Sequence, residues 1–89
     1  MALFTQTELE ILDFDTTHTR SDPTSGRQVT VMLSTRETEP TNDLEIITET
    51  WLFILLAYPA AEGRPDLAVE TSREDASRVI EALLSGHSV

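Results

Sequence analysis

Three side chains near the N-terminus form the one cluster in the sequence that resembles a metal site. Asp13, Asp15 and His18 lie close together, and on a strand the two carboxylates would share one face. Carboxylate oxygens and an imidazole nitrogen can hold a divalent cation. The segment does not fit a calcium-binding loop, because His18 occupies the position that requires Gly and Thr24 the position that requires Glu. We therefore predict an exposed acidic strand end, with no metal ion and no cofactor.

Histidine and hydroxyl side chains offer no second arrangement for catalysis. His18 and His87 are the two histidines, and His87 follows the expected end of a helix. A general base needs a neighbouring nucleophile and a pocket that excludes water. Gly26, Gly63 and Gly86 each fit a turn, a loop or a helix cap, which leaves no glycine for a nucleophile elbow or a phosphate-binding loop. We expect a protein that is not an enzyme.

A hairpin is predicted to carry the acidic cluster. Residues 8–17 and 28–36 are rich in β-branched and apolar side chains, and the turn-forming residues 21–26 join them. In the first strand the apolar positions change phase between Ile11 and Leu12, which predicts a bulge or a bend. The second strand has one clearly apolar face, made by Val29, Val31 and Leu33.

Residues 44–58 follow a second turn, residues 39–43, and their pattern fits either a strand or a helix. A helix would place an apolar stripe on one side, at the spacing of Leu44, Ile47, Trp51, Leu55 and Tyr58. The density of β-branched and aromatic residues favours a strand, which is our interpretation. Pro59 ends the segment in either case.

The C-terminal third predicts a short strand, residues 67–70, and then a helix over residues 73–85. Two overlapping capping boxes are expected at its start, one of Thr71 with Glu74 and one of Ser72 with Asp75. One apolar face follows at helical spacing, made by Ala76, Val79, Ile80, Leu83 and Leu84. Gly86 is expected to end the helix.

These elements predict a single α+β domain over residues 1–89. We expect a three- or four-stranded antiparallel meander with one C-terminal helix packed on one face, in the order ββββα. The alternative is ββαβα, with residues 43–58 helical.

The end of the third predicted strand is apolar on both sides, which one helix cannot cover. Trp51, Phe53 and Leu55 would point one way. Leu52, Ile54 and Leu56 would point the other way. The uncovered side needs a partner, and a homodimer packed sheet on sheet would supply one because most soluble oligomers are two-fold.

The net negative charge of the chain limits which partners it can bind and bears on the salinity of the cytoplasm in which it works. The chain has 16 acidic residues against 6 basic ones, all Arg, for a net charge of −10. Such a chain repels phosphate backbones, so direct nucleic-acid binding is not expected. Many carboxylates without Lys fit a saline cytoplasm, although a GC-rich genome would also favour Arg over Lys. The chain has no Cys, which excludes disulfides and thiol chemistry.

We expect a cytoplasmic protein that does not enter a membrane. The first ten residues lack the basic and apolar regions of a signal peptide. The longest apolar run, residues 51–58, is far shorter than the roughly 20 residues of a membrane helix.

The sequence predicts a small acidic, non-enzymatic protein–protein interaction module, either dimeric or an accessory to a larger protein. The alternative is an acidic inhibitor that imitates nucleic-acid charge and blocks a basic nucleic-acid-binding protein. The acidic surface that it would use comprises Glu8, Glu10, Asp13, Asp15, Glu37, Glu39, Asp43 and Glu45.

Overall fold

Four antiparallel strands and two helices make up the described parts of the chain. The computed structural model describes residues 2–38, 47–58 and 64–86. The elements are α1 (Gln6–Glu10), β1 (Thr17–Ser21), β2 (Gln28–Thr38), β3 (Ile47–Ala57), β4 (Pro65–Thr71) and α2 (Ala76–Leu84). The sheet order is β1-β2-β3-β4, with every neighbouring pair antiparallel. The predicted ββββα fold is confirmed.

The segment that fitted both a strand and a helix is a strand where the structure describes it. β3 lies between β2 and β4, so its β-branched and aromatic residues complete ladders on both sides. The helical alternative for residues 43–58 is therefore wrong. Several predicted features lie outside the described residues, namely the turn at residues 39–43, Pro59, Gly63 and His87.

The core lies on one side of the sheet, under the helices. Alternate residues of β2 and β3 pair in register there, as Val29 with Leu56 and Val31 with Ile54, and all four are fully buried. Each large apolar side chain buried in this way contributes about 1.5–3 kcal/mol. The apolar face predicted for α2 is confirmed: its buried members are Ala76, Val79 and Ile80, and its partly buried members are Leu83 and Leu84.

The start of α2 differs from the prediction, while its end agrees. Neither capping box forms, and Asp75, the N-cap residue, makes no side-chain cap hydrogen bond. Thr71 is the last residue of β4, and Ser72 donates to the Asp75 carboxylate at 3.2 Å instead of reaching the helix backbone. Gly86 has φ of 78° and its N–H donates to Leu83 at 3.1 Å, which closes the helix. Neither helix in the described ranges is long and apolar enough to span a bilayer.

The predicted first strand, residues 8–17, is wrong, because its first part is a helix. Thr5 and Glu8 form a reciprocal capping box at the start of α1. Phe4 and Leu9, which flank that box, are both buried in the core. The change of phase at Ile11 marks the end of this helix and is not a bulge in a strand.

α1 packs beside α2 on the same side of the sheet, and hydrogen bonds tie the two together. Gln6 donates to the Arg73 carbonyl at 2.7 Å, and the Arg73 guanidinium donates back to the carbonyls of Leu9 and Glu10. Ser77 donates to the Phe4 carbonyl at 3.3 Å. Both helices therefore cover one face, and the opposite face carries no helix among the described residues.

β2 and β3 extend beyond the two outer strands. β1 pairs only with residues 28–32 of β2, and β4 only with residues 52–57 of β3. Residues 33–38 and 47–51 therefore form a two-stranded extension, which we call the β-arm. The Cα radius of gyration is 14.6 Å, above the roughly 12 Å of a globular domain of this length.

Candidate interaction surface

The helix-free side of the sheet presents an apolar centre, which we call the open face. Among the described side chains, the large apolar ones on this face are Met32, Trp51, Phe53 and Leu55, and each is half-buried. They are neighbours, because Met32 pairs with Phe53 and the other two flank Phe53 along β3. The sheet therefore shows a continuous patch of one sulfur-containing, two aromatic and one aliphatic side chain.

The open face carries little charge in a strongly acidic chain. Small or hydroxyl side chains border the apolar centre, and they include Thr17, Thr30, Ser34 and Ala68. Among its described side chains the carboxylates are Glu49, which accepts from the Trp51 indole at 2.9 Å, and Glu70, which stands opposite Phe53. The chain holds 16 acidic residues, so most of its negative charge lies elsewhere. Aromatic and Met enrichment with depleted charge is typical of the centre of a protein–protein interface.

The structure divides the six apolar residues that the sequence singled out. Leu52, Ile54 and Leu56 are fully buried beneath the helices. They are not available to a partner, because the chain itself supplies their contacts. Trp51, Phe53 and Leu55 remain on the open face, so the candidate surface narrows to that half of the set. The structure adds Met32, which sequence reasoning placed on the strand without assigning it to a surface.

An Arg-centred cluster closes the sheet at the end opposite the β-arm. Arg27 forms an ion pair with Asp66, the extra residue at a β-bulge in β4. Its guanidinium carbon also lies 4.3 Å from the centre of the Tyr58 ring, a cation–π distance. Ala57, which precedes Tyr58 at this end of β3, is buried. The exposed apolar surface of the open face therefore ends before the Arg27 cluster.

The predicted acidic surface is dispersed over several elements. Glu8 and Glu10 lie on α1, Asp13 and Asp15 lie in the turn before β1, and Glu37 lies on the β-arm. Asp13 and Asp15 do not share a strand face, and Asp15 has φ of 68°, a conformation that Asp tolerates better than most residues. Glu39, Asp43 and Glu45 lie outside the described residues.

Among the described residues, the carboxylates Glu8 and Asp22 have pKa values that bonds within the chain lower. The hydrogen bond from Arg20, followed by that from the Thr5 backbone, lowers the pKa of Glu8 from 4.5 to about 2. Hydrogen bonds from Ser25 lower the pKa of Asp22 in the first hairpin turn. These carboxylates serve the fold, and a partner would have to displace those bonds to use them.

A cavity of about 200 Å³ opens between α1 and β1. Its lining includes Phe4, Ile11 and Leu12 together with His18 and Arg20. Arg20 is already committed to Glu8 and to the Leu3 carbonyl, so it is not free to polarise a substrate. No group of three His, Cys, Asp or Glu side chains suited to a metal ion occurs in the described ranges.

No protein-family model, curated protein or solved structure matches this chain. The open face is the candidate interaction surface of this chain.

Proposed function

We propose that the chain is a non-enzymatic protein–protein interaction module that forms a homodimer by packing its open face against that of a second copy. The observation that supports this most directly is the half-buried patch of Met32, Trp51, Phe53 and Leu55 on a sheet whose other side packs its buried core against the helices. Burial of each of these side chains on association would contribute part of the roughly 1.5–3 kcal/mol that full burial provides. Sheet-on-sheet packing is an established way to bury such a face.

The size of the open face fits a second copy. With about 3.3 Å per residue and about 4.8 Å between strands, the four strands span roughly 500 Å². Two copies would bury roughly 1,000 Å² in total, which is near the lower bound for a specific interface. We therefore expect a reversible dimer with micromolar affinity and not an obligate one.

The distribution of charge also favours a second copy of the chain as the partner at the open face. A two-fold interface places identical surfaces together, so a highly charged face would repel its own copy. The open face avoids this repulsion because its centre is uncharged and its described carboxylates, Glu49 and Glu70, lie beside the apolar patch. Repulsion between the remaining negative charges weakens with added salt, so dimerisation should strengthen as salt rises.

Light scattering over a range of protein concentrations tests the proposal. The wild-type mass should rise from monomer to dimer through the micromolar range, and more readily at high salt. Phe53→Glu should keep the mass monomeric, since it places a charge at the centre of the interface. Leu67→Glu is the matched control, because Leu67 is 38 % exposed on the other side of the sheet.

The control variant should dimerise like the wild type. A strictly monomeric wild-type mass at all concentrations would contradict the homodimer. Met32→Glu provides a second open-face variant, and circular dichroism would show that each variant is folded.

The nucleic-acid-mimic alternative stays a prediction. It needs a row of free carboxylates, whereas the described acids are dispersed and several of them are bound within the chain, as Glu8 by Arg20 and Asp66 by Arg27. We therefore favour the interaction module.

A further inference from the structure

β2 changes along its length from an interior strand to an edge strand. Residues 28–32 pair with β1, but the following six, residues 33–38, face no strand on that side within the described parts of the chain. Every second residue of such an edge directs its backbone N–H and C=O away from the sheet. Six residues extend for about 20 Å, which is the length of an ordinary strand. The edge is therefore long enough to accept one.

Three common protections of an exposed edge do not occur on residues 33–38, whose charged residues are Arg36 and Glu37. Proline, lysine and β-bulges commonly prevent edge-to-edge pairing. β2 contains no Pro and no Lys, and its ladder with β3 runs without a register shift from Gln28 to Thr38. Ser34 and Thr35 are small or β-branched and do not obstruct a neighbour. Among the described residues the arm therefore offers an edge without proline or bulge for strand addition.

Carboxylates lie at both ends of this edge. β1 begins at Thr17, which pairs with Met32, so Asp13 and Asp15 in the preceding turn lie near the start of the unpaired stretch. Glu37 lies near its other end and is exposed. A strand added here would run between acidic groups, and Lys or Arg side chains on it would be attracted.

The same charges argue against a second copy of the chain at this edge. Two-fold antiparallel pairing of this edge would bring Glu37 of each copy towards Asp13 and Asp15 of the other, and like charges across a pair of strands are destabilising. Arg36 is the single basic residue of the stretch against these three carboxylates, so the edge keeps an excess of negative charge. A basic segment of another protein fits the edge better.

We propose that residues 33–38 bind an extended segment of a basic partner protein by β-strand addition. Main-chain hydrogen bonds to the free edge supply the affinity, as in other strand-addition complexes. Asp13, Asp15 and Glu37 select Lys- or Arg-bearing strands over neutral or acidic ones. This surface is the rim of the sheet and adjoins the open face at Ser34; strand addition uses the backbone of the rim, whereas the dimer uses side chains of the face.

A peptide titration followed by amide NMR tests this proposal. The probe is a short synthetic peptide of alternating Thr and Lys with blocked ends, added at low salt. We expect shift changes and slowed hydrogen exchange at residues 33–38, with an affinity that falls as NaCl is added. Glu37→Lys should weaken binding about fivefold. Glu74→Lys is the matched control, since it makes the same charge change at an exposed position on the β4 side, and it should have little effect.

Two further peptides separate strand addition from simple attraction. An alternating Thr and Glu peptide should not bind, and the basic peptide with N-methylated backbone amides should lose most of its affinity because it cannot donate. Binding by either peptide as strong as by the first would overturn the proposal, as would absence of binding by the first. Shift changes at residues 33–38 on dilution of the Phe53→Glu variant, which should lack the open-face dimer, would assign the edge to a second copy and would also overturn the proposal. None of these outcomes depends on the dimer, whose test uses open-face variants.

Discussion

Arg20 attaches the N-terminal segment to the sheet through three different contacts. It pairs with the Glu8 carboxylate, donates to the Leu3 carbonyl at 2.7 Å, and lies 4.4 Å from the centre of the Phe4 ring. A guanidinium suits this role because its planar fork can bond two acceptors and stack on a ring at once. Lys at this position would keep the charge but lose most of the geometry.

The pH dependence of stability should report the bond between Arg20 and Glu8. The pKa of Glu8 falls from 4.5 to about 2 on folding. A group with a lowered pKa contributes its stability fully above its unfolded value and loses it as pH falls towards its folded value. Between pH 4.5 and about 2, we therefore expect wild-type stability to fall more steeply than that of Glu8→Gln, as measured by urea unfolding.

Glu74→Gln serves as the control for this pH experiment. Glu74 is exposed and makes no hydrogen bond or ion pair to a described residue. This variant should retain the wild-type slope in the same pH range. Equal slopes for wild type and Glu8→Gln would show that Glu8 does not carry the effect.

The capping box of α1 should matter more to stability than the length of this helix suggests. Thr5 accepts from the Glu8 N–H, and the Thr5 N–H donates to the Glu8 carboxylate at 3.0 Å. Thr5→Ala removes one of these bonds and should cost about 1 kcal/mol. Thermal or urea unfolding would measure this loss.

Thr7→Ala is a matched control on the same helix. Thr7 is exposed and is not part of the capping box, so its replacement should change stability by less than about 0.5 kcal/mol. A similar loss for Thr5→Ala and Thr7→Ala would mean that helix propensity, and not the cap, governs α1.

Adjacent leucines on β3 should respond differently to truncation. Leu56 is fully buried among the helices, whereas Leu55 is half-buried on the open face. Leu56→Ala should destabilise the fold by about 2–5 kcal/mol, and Leu55→Ala by clearly less. Urea unfolding would measure the stability of each variant, and light scattering would measure dimer formation. A Leu55→Ala variant that stays folded but dimerises more weakly would show that the two sides of β3 have separate roles.

Hydrophobic periodicity predicted the longer elements well and missed the shortest one. β2 and α2 each carry enough alternating or helical repeats to define their type, whereas β3 fitted both patterns and was assigned from its β-branched and aromatic residues. α1 has five residues, too few for such a repeat, and β-branched residues after it favoured a strand. A local signal was present in Thr5 and Glu8 as a capping box, with Phe4 and Leu9 as the flanking hydrophobic staple.

The sequence predicted that one side of β3 forms the interaction surface, but it did not indicate which of the two sides. Strand alternation placed Trp51, Phe53 and Leu55 on one side and Leu52, Ile54 and Leu56 on the other. Both sets are apolar, so nothing local indicates which set the helices cover. That choice depends on the three-dimensional packing of α1 and α2, and it could not be read from β3 itself.

Net charge should dominate how the whole molecule responds to salt. The chain carries −10, and this self-repulsion opposes the compact state. Raising KCl from about 0.1 M to 1 M shortens the screening length from about 10 Å to about 3 Å. We therefore expect the melting temperature to rise over this range, as measured by calorimetry, and to do so at a protein concentration where the chain is monomeric.

A charge-reduced variant provides the control for the salt experiment. Asp13→Asn and Glu74→Gln, combined, remove two exposed charges and should flatten the increase. A melting temperature that falls with KCl would show that internal ion pairs such as Arg20 with Glu8 outweigh the general repulsion.

The contact between the first and last helices has a consequence for synthesis on the ribosome. Leu3 bonds to Glu81 and Phe4 to Ser77, across more than 70 positions of the chain, and the core of Phe4, Leu9 and Ile80 is complete only when α2 is present. Contacts of such long range form late in folding. During translation the emerging sheet lacks the cover of α2 on one side and of any helix on the other, so the nascent chain passes through a stage in which both sides of β3 expose apolar surface to chaperones.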